Sequence, residues 1–220
     1  MLLAAGRGER MQSLTDNTPK PLLKVAEKSL IEYHLYALAQ AGIEEVVINV
    51  CYLAEKIQQA LGKGERYGVK IHYSIEQQAL GLGGGVYQAL PLLGKEPFIV
   101  ISSDIWTAYP LVQLPSQLSG LAHMMMVDNP NFHPQGDFVL QENEVIDRDG
   151  SKLTYGGIGV FQPQFFQVCG PGVYSIMKPL QLALLRQQVR GEHYQGAWWN
   201  VTTARELAEV ETYISLNPLD

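Results

Sequence analysis

The chain has 220 residues with 16 lysines and arginines against 22 aspartates and glutamates, and this acidic balance argues against nucleic acid or an anionic membrane surface as the main partner. Apolar residues make up 46%, which excludes wholesale disorder, and two cysteines are too few for a disulfide scaffold or a zinc cluster. Because we recognise neither a signal peptide nor the roughly 18–20 apolar residues of a membrane helix, we expect a cytoplasmic protein.

The first half of the chain alternates strands with helices. Residues 1–5 are predicted as an apolar strand, followed by a loop over 6–21. Ser29-Leu30-Ile31-Glu32 has the form of a capping box before a helix that lasts to Gly42. Further elements are predicted as strand 45–50, helix 54–61, strand 69–74, helix 86–93 and strand 98–102. This alternation predicts an α/β fold with a doubly wound, mostly parallel sheet and helices on both faces.

The second half has strands with shorter connections. We predict strands over 121–127, 137–140 and 154–161, then helices over 177–190 and 204–215. Short connections favour antiparallel pairing, so the sheet should be mixed. We expect one domain over 1–220, with its two halves at 1–105 and 106–220. Ligands of open α/β sheets bind beyond the carboxyl ends of strands, which selects the 6–20 loop, the glycine-rich turn at 81–85 and Asp104.

The loop at 6–21 has the composition of an anion-binding site. Residues 1–28 hold five basic side chains against three acidic ones, although the whole chain is acidic. Gly6 and Gly8 match a dinucleotide fingerprint, but Met11 replaces its third glycine, which argues against a nicotinamide cofactor. What remains is a loop whose backbone N–H groups can line an anion, with Arg10 and Lys20 as its charges. The alternative is a surface loop with incidental cations.

Several stretches together resemble one enzyme family. They are LLAAGRGERM, TPKPLL, SLIEYHLYALAQAGI, GLGGGVYQALPLL, SSDIW, VDNPNFHPQGDF, YGGIGVF and GEHYQGAWWNVTT, and they span nearly the whole chain. This pattern is similar to that of the sugar-nucleotide nucleotidyltransferases, the nucleoside-diphosphate-sugar pyrophosphorylases. The resemblance implies a Rossmann-like fold of the nucleotide-diphospho-sugar transferase type. It also implies that a sugar 1-phosphate attacks the α-phosphorus of a nucleoside triphosphate and releases pyrophosphate.

The resemblance implies substrates and cofactor as well. We expect UTP and N-acetylmuramic acid α-1-phosphate as substrates, Mg²⁺ as cofactor, a role in cell-wall recycling, and a monomer or weak homodimer. Two alternatives stay open: a different sugar 1-phosphate, or phosphocholine, with another nucleotide; or a non-catalytic sensor of nucleotide sugars.

The same resemblance assigns roles to individual residues. Arg10 would hold the departing pyrophosphate and Lys20 would bridge the phosphates, so these two are the predicted catalytic residues. Asp104 and Asn200 are the predicted metal ligands. The implied nucleotide-binding residues are Ala4, Ala5, Gly6, Gly8, Glu9, Glu76, Gly81 and Ser102. The implied sugar-binding residues are Asp137, Tyr155 and Gly156.

The chain departs from the family pattern at a few positions. Asn200 replaces the expected second metal carboxylate, and Ser102 lies within SSD where Asn-Gly-Asp is usual. Leu82 replaces a common threonine. None of these departures removes Arg10 or Asp104, so we expect activity, while Asn200 leaves metal affinity and substrate choice open.

Overall fold

The computed structural model describes residues 1–217. The helices are α1 Leu30–Gln40, α2 Ala54–Leu61, α3 Gly81–Leu93, α4 Pro163–Phe166, α5 Met177–Leu185 and α6 Ala204–Leu216. The strands are β1 Leu2–Leu3, β2 Lys24–Val25, β3 Lys28–Ser29, β4 Glu45–Val50, β5 Lys70–Ile75, β6 Phe98–Ser102, β7 Ile105–Thr107, β8 Ala122–Val127, β9 Phe138–Gln141, β10 Glu144–Ile146, β11 Lys152–Phe161, β12 Val189–Tyr194 and β13 Trp198–Asn200. No helix within these residues is long and apolar enough to cross a membrane.

The chain forms two compact units that interleave along the sequence. The terminal unit comprises Leu2–Ala79, Ser102–Val112 and the residues from Ala197 onward. The central unit comprises Met1, Leu80–Ile101 and Gln113–Gly196. The expected single domain, with a nucleotide-binding half at 1–105 and a sugar-phosphate-binding half at 106–220, stays a prediction.

The terminal unit contains a parallel sheet in the order β5–β4–β1. Its central strand β4 is an almost continuous apolar run whose residues after Glu45 are all buried, which is typical of a parallel strand covered on both faces. Helix α1 begins with the predicted capping box, since the Ser29 N–H and hydroxyl both donate to Glu32 Oε2 at 2.8 Å. The short strands β2 and β3 pair antiparallel, as do β7 and β13.

A hydrophobic core in the terminal unit joins the segments that carry the predicted site. Its buried members are Met11, Leu23, Val25, Leu30, Trp106, Val201 and Val210. The Trp106 ring lies edge-on to Trp199 and Tyr213, with centroids 5.6 and 5.5 Å apart. Met11 comes from the predicted anion loop, Trp106 from β7 and Trp199 from β13, so one core holds all three segments.

The central unit contains a mixed sheet in the order β6–β11–β8–β12–β10–β9. Strand β8 runs parallel to β12, whereas β11 runs antiparallel to both β6 and β8. The predicted mixed sheet is therefore present, although antiparallel pairs prevail in this unit over the expected mostly parallel pairing. Short loops explain the difference, because two residues with positive φ, Glu142 and Asn143, are enough to turn β9 into β10.

The helix predicted over 177–190 is too long. Helix α5 ends at Leu185, and Gln187 has the left-handed φ of 54° that turns the chain out of the helix. Strand β12 then begins at Val189 and pairs along the whole length of β8, most of which is buried. Pairing with a buried strand outweighs the weak local preference of residues 186–190 for a helix.

The helix predicted over 86–93 begins earlier, at Gly81. Its glycines allow the backbone of residues 172–175 to approach closely. A Cβ on Gly81 would lie 2.8 Å from the Tyr174 carbonyl oxygen, and one on Gly83 would lie 2.8 Å from that of Ser175. Packing within the central unit accounts for this glycine-rich segment, and the predicted contact of Gly81 with a nucleotide base stays a prediction.

Candidate active site

The predicted anion loop is built around Gly8. This residue has a left-handed φ of 71°, and its carbonyl oxygen accepts hydrogen bonds from the Met11 N–H at 2.9 Å and the Thr15 hydroxyl at 3.2 Å. A Cβ at Gly8 would lie 2.9 Å from Cβ of Lys20. Both the backbone conformation and the neighbouring lysine therefore require glycine here.

Lys20 is paired with Asp104. The Lys20 Nζ lies 2.8 Å from Asp104 Oδ2, and the side chain of Lys20 is only 9% exposed whereas that of Asp104 is 35% exposed. Burying an ammonium group without a partner is costly, so the carboxylate accounts for the stability of this arrangement. The fold thus brings a predicted catalytic residue into contact with a predicted metal ligand 84 positions away.

Asn200 is held beside the Asp104 backbone. Strands β7 and β13 pair with Asn200 opposite Ile105, and the Val201 N–H donates to the Asp104 carbonyl oxygen at 2.8 Å. The Oδ1 of Asn200 is buried, and within residues 1–217 it has no hydrogen-bond partner. An oxygen that is buried without a hydrogen-bond partner is suited to bind a hard cation, since Mg²⁺ is bound by carboxylate and amide oxygens.

The described residues do not form a metal centre by themselves. No group of three or more His, Cys, Asp or Glu side chains within residues 1–217 could hold a metal ion. This suits Mg²⁺, which is commonly bound through one or two carboxylates together with substrate phosphates and water. Asp104 and Asn200 together offer one carboxylate and one amide oxygen, a donor set that fits Mg²⁺.

His34 supports the strand that follows Asp104. Its Nε2 lies 2.8 Å from the Ile105 carbonyl oxygen, and burial lowers the pKa of His34 to about 4. A neutral ring at this pKa donates its Nε2–H to the carbonyl group. The helical spacing of Ile31, His34, Leu35 and Leu38 in the sequence signals the buried face of α1 but not this contact.

A buried chain of hydrogen bonds links Glu76 to the end of β1. The Ala4 N–H donates to Asn49 Oδ1 at 3.0 Å, and Asn49 Nδ2 donates to Glu76 Oε1 at 2.7 Å. Two residues from the predicted nucleotide site, Ala4 and Glu76, are therefore connected. Sequence reasoning missed Asn49, whose sole signal is a polar residue inside the apolar run of β4.

Arg10 lies apart from these contacts. Its side chain is exposed, and within residues 1–217 no hydrogen bond or ion pair joins it to another residue. Arg7, by contrast, lies 4.0 Å from Asp16 and has its guanidinium carbon 5.5 Å from the centroid of the Tyr52 ring. The loop therefore has one arginine engaged within the protein and one that is available to a ligand.

Two of the predicted sugar-binding residues are in contact within the central unit. The Tyr155 N–H donates to Asp137 Oδ2 at 2.8 Å, and His133 Nε2 lies 3.0 Å from Asp137 Oδ1. Burial raises the pKa of Tyr155, which stays protonated near neutral pH. A Cβ at Gly156 would lie 3.1 Å from the Met125 carbonyl oxygen, so the glycine lets β11 pack against β8.

Comparison with known proteins decides the family. The family model described as nucleotidyl transferase matches residues 1–127. The chain is 42% identical to the N-acetylmuramate alpha-1-phosphate uridylyltransferase of Neisseria meningitidis serogroup B, and the match covers 96% of both chains. It is 31% identical to the protein of the same name from Caulobacter vibrioides, covering 91% of this chain and 90% of that one. The chain belongs to the nucleotidyl transferase family.

A solved structure has a fold similar to that of this nucleotidyl transferase. A Bacillus anthracis protein described as a glucose-1-phosphate thymidylyltransferase, crystallised with sucrose, has a TM-score of 0.87 to this chain. It is 20% identical, and the match covers 100% of this chain and 95% of that one. The resemblance inferred from the sequence and its α/β fold are therefore confirmed.

The structure groups the predicted site residues of the nucleotidyl transferase by unit. Those in the terminal unit are Ala4, Ala5, Gly6, Gly8, Glu9, Arg10, Lys20, Glu76, Ser102, Asp104 and Asn200. Those in the central unit are Gly81, Asp137, Tyr155 and Gly156. Direct contacts join Gly8 with Lys20, Lys20 with Asp104, and Asp137 with Tyr155, and these contacts are what the sequence alone could not establish.

Proposed function

We propose that this nucleotidyl transferase forms UDP-N-acetylmuramic acid and pyrophosphate from UTP and N-acetylmuramic acid α-1-phosphate, as a step of cell-wall recycling. The observation that carries the proposal is the 42% identity, over 96% of both chains, to a relative with this activity. The contact of Lys20 with Asp104 at the predicted phosphate site supports it.

The reaction mainly requires that the two substrates are aligned and that the growing negative charge is neutralised. A phosphate monoester has a second pKa of about 6, so the sugar 1-phosphate is already largely dianionic at neutral pH and needs no general base. One of its oxygens forms a bond to the α-phosphorus of UTP, and the bond from that phosphorus to the bridging oxygen breaks, so that pyrophosphate leaves with the electron pair. Arg10 would hold the leaving pyrophosphate, and Lys20 would bridge the phosphates as negative charge grows.

Asp104 and Asn200 would hold Mg²⁺. When bound, the cation neutralises phosphate charge and polarises the phosphoryl oxygens. Asp104 supplies the charged ligand, and the buried Oδ1 of Asn200 supplies a neutral one. With a single carboxylate, the protein would depend on the substrate phosphates to complete the site.

Further roles complete the proposal. The nucleotide would contact Ala4, Ala5, Gly6, Gly8, Glu9, Glu76, Gly81 and Ser102. The sugar would contact Asp137, Tyr155 and Gly156. We also propose a single Rossmann-like, doubly wound domain with helices on both faces, acting in the cytoplasm as a monomer or weak homodimer without nucleic-acid or membrane partners.

A pyrophosphate-release assay over a panel of nucleoside triphosphates and sugar 1-phosphates tests this proposal. We expect the highest kcat/KM with UTP and N-acetylmuramic acid α-1-phosphate. Faster turnover of another sugar 1-phosphate, or of phosphocholine with another nucleotide, would reassign the substrates within the family. If every pair stays silent while nucleotide sugars bind, the protein is the non-catalytic sensor that Asn200 and the other departures favour.

A further inference from the structure

Two histidines of the central unit are each held by an aspartate. His193 Nε2 lies 2.8 Å from Asp128 Oδ1, and His133 Nε2 lies 3.0 Å from Asp137 Oδ1. Asp137 is a predicted sugar-binding residue, whereas the pair of His193 and Asp128 has no role in the function proposed above. The sequence stretches VDNP and GEHY, which belong to the resemblance, supply Asp128 and His193.

These pairs lie at one edge of the central sheet. Strands β8 and β12 run parallel, Asp128 directly follows β8, and His193 is the penultimate residue of β12. Met126 lies between His193 and Tyr155 in one row across β12, β8 and β11. His193 is therefore two strands from a predicted sugar-binding residue, at the carboxyl edge where ligands of such sheets bind.

The proposed acceptor carries a negative charge that most sugar 1-phosphates lack. N-acetylmuramic acid differs from N-acetylglucosamine by a lactyl ether that ends in a carboxylate. To select for this carboxylate, a protein needs a hydrogen-bond donor that stays unpaired when N-acetylglucosamine 1-phosphate is bound instead. Two basic residues of the central sheet are less suited to supply this donor. Arg190 lies at the amino end of β12, and the Lys152 ammonium already lies 3.8 Å from Asp147.

The ring of His193 has one nitrogen to spare for a ligand. Its Nε2 is directed to Asp128, and within residues 1–217 its Nδ1 makes no hydrogen bond. An imidazolium donates from both ring nitrogens, so such a ring can donate Nε2–H to Asp128 and Nδ1–H to a second anion. The adjacent Glu192 has its own neighbour, His123, at 3.5 Å. The His193 side chain is 30% exposed and comes from a strand, which allows access while restricting its movement.

We propose that His193, oriented by Asp128, binds the lactyl carboxylate of the acceptor and thereby sets the preference for an acidic sugar. The proposal rests on the proposed function and names the group that would select its substrate. His193 is then a binding residue, and Asp128 is a positioning residue that acts through it.

The test compares two acceptors with UTP. The measured quantities are kcat/KM for N-acetylmuramic acid α-1-phosphate and for N-acetylglucosamine 1-phosphate, in the parent protein and in His193→Gln. The glutamine amide can take the place of Nε2 beside Asp128, but it has no counterpart of Nδ1. We expect kcat/KM for the acidic sugar to fall about tenfold to a hundredfold, mainly through KM, the usual cost of a lost hydrogen bond to a charged group. The value for N-acetylglucosamine 1-phosphate should stay unchanged.

Two control variants sharpen the result. His72→Gln changes a histidine of β5, which lies 3.5 Å from Glu45, and should leave both kcat/KM values unchanged. Lys152→Gln removes a lysine of strand β11, and it too should retain the preference for the acidic sugar. Thermal melting of each variant shows that the fold is retained.

The outcomes separate the two proposals. An unchanged preference in a folded His193→Gln, or a loss that follows Lys152→Gln instead, overturns the role of His193 while the proposed function stands. A parent protein that turns over other sugar 1-phosphates but not the acidic one overturns the proposed function itself.

Discussion

Lys20 shows how much a single side chain depends on its neighbours. Its ammonium is buried against Asp104, and its stem packs against Gly8, so three residues far apart in the sequence form one contact. A substrate phosphate or a cation would meet these charges together. The contact brings together a glycine, a lysine and an aspartate of the predicted phosphate site.

Replacing Gly8 should disturb this contact. In Gly8→Ala the left-handed φ of 71° is strained and the new Cβ would lie 2.9 Å from Cβ of Lys20. We expect the free energy of unfolding to fall by about 1–3 kcal/mol, measured by urea denaturation. Gly6→Ala is the matched control for stability, because no atom lies within 4 Å of a Cβ there. Equal stability of the two variants would contradict the role assigned to Gly8.

The two arginines of the loop should differ in function. Arg10→Ala and Lys20→Ala should each lower turnover by about 100-fold or more, as for other groups that stabilise charge in a transition state. Arg7→Ala should have a small effect, because Arg7 already contacts Asp16 and Tyr52. Initial rates beside thermal melts check this prediction. Near-normal rates in Arg10→Ala would show that this arginine does not hold the reacting phosphates.

Asn200 should set the requirement for Mg²⁺. Asn200→Asp restores a carboxylate and should lower the Mg²⁺ concentration at half-maximal rate several-fold, whereas Asn200→Ala should raise it. Asp104→Ala should nearly abolish activity. Calorimetric titration of Mg²⁺ into protein with UTP but no sugar phosphate gives a second readout. Parent-like titrations in both Asn200 variants would leave Asn200 as a structural residue of β13.

At the scale of elements, helix α1 and strand β7 are joined through a buried histidine. His34 is neutral in the folded protein because burial lowers its pKa to about 4, and its Nε2–H donates to the Ile105 carbonyl oxygen. The residue after Asp104 is thereby tied to the helix. The geometry of the predicted metal site depends on this packing as well as on its own side chains.

This contact predicts how stability depends on pH. The pKa of His34 is depressed from 6.5 to about 4, so the unfolded chain binds a proton more readily than the folded one between these values. Stability should therefore be independent of this group above about pH 6.5 and fall as the pH drops toward 4, by at most ~3 kcal/mol. His34→Gln keeps a donor but does not titrate. Urea denaturation from pH 4 to 7.5 should show a shallower dependence for this variant, and identical slopes would refute the prediction.

At the scale of the whole molecule, two interleaved units carry different parts of the predicted site. The chain leaves the terminal unit after Ala79, returns to it for Ser102–Val112, and returns again at Ala197. This path places Asn200, which lies late in the chain, in the same unit as the first loop. The predicted halves at 1–105 and 106–220 stay a prediction.

Binding of substrate should stabilise the whole fold. A ligand that binds only the folded state adds about 2.7 kcal/mol at a concentration 100 times its Kd, which corresponds to a rise in Tm of roughly 5–10 °C for a chain of this length. We expect this shift with Mg²⁺ and UTP, and a smaller one with Mg²⁺ and GTP at the same concentration. Equal shifts with both nucleotides would argue against uridylyl specificity, and no shift with either would argue against nucleotide binding.

The sequence by itself determined the family and the α/β alternation, and it predicted the residues of the site. Glycines, cations and an aspartate after buried strands are local features, and the resemblance rather than their presence alone singles them out. Capping residues also act locally, and the predicted start of α1 is confirmed. These features depend on a few adjacent residues, which is why pattern and resemblance find them.

Only the tertiary structure decided which of these residues touch. The end of α5 at Leu185 depends on pairing with β8, and the start of α3 at Gly81 depends on the backbone at 172–175. The contacts of Asn49 and His34 could not be predicted from the sequence, because their hydrogen-bond partners are 27 and 71 positions away. Contacts of this range arise when strands and helices pack together, and that packing, rather than local preference, placed the ammonium of Lys20 against the carboxylate of Asp104.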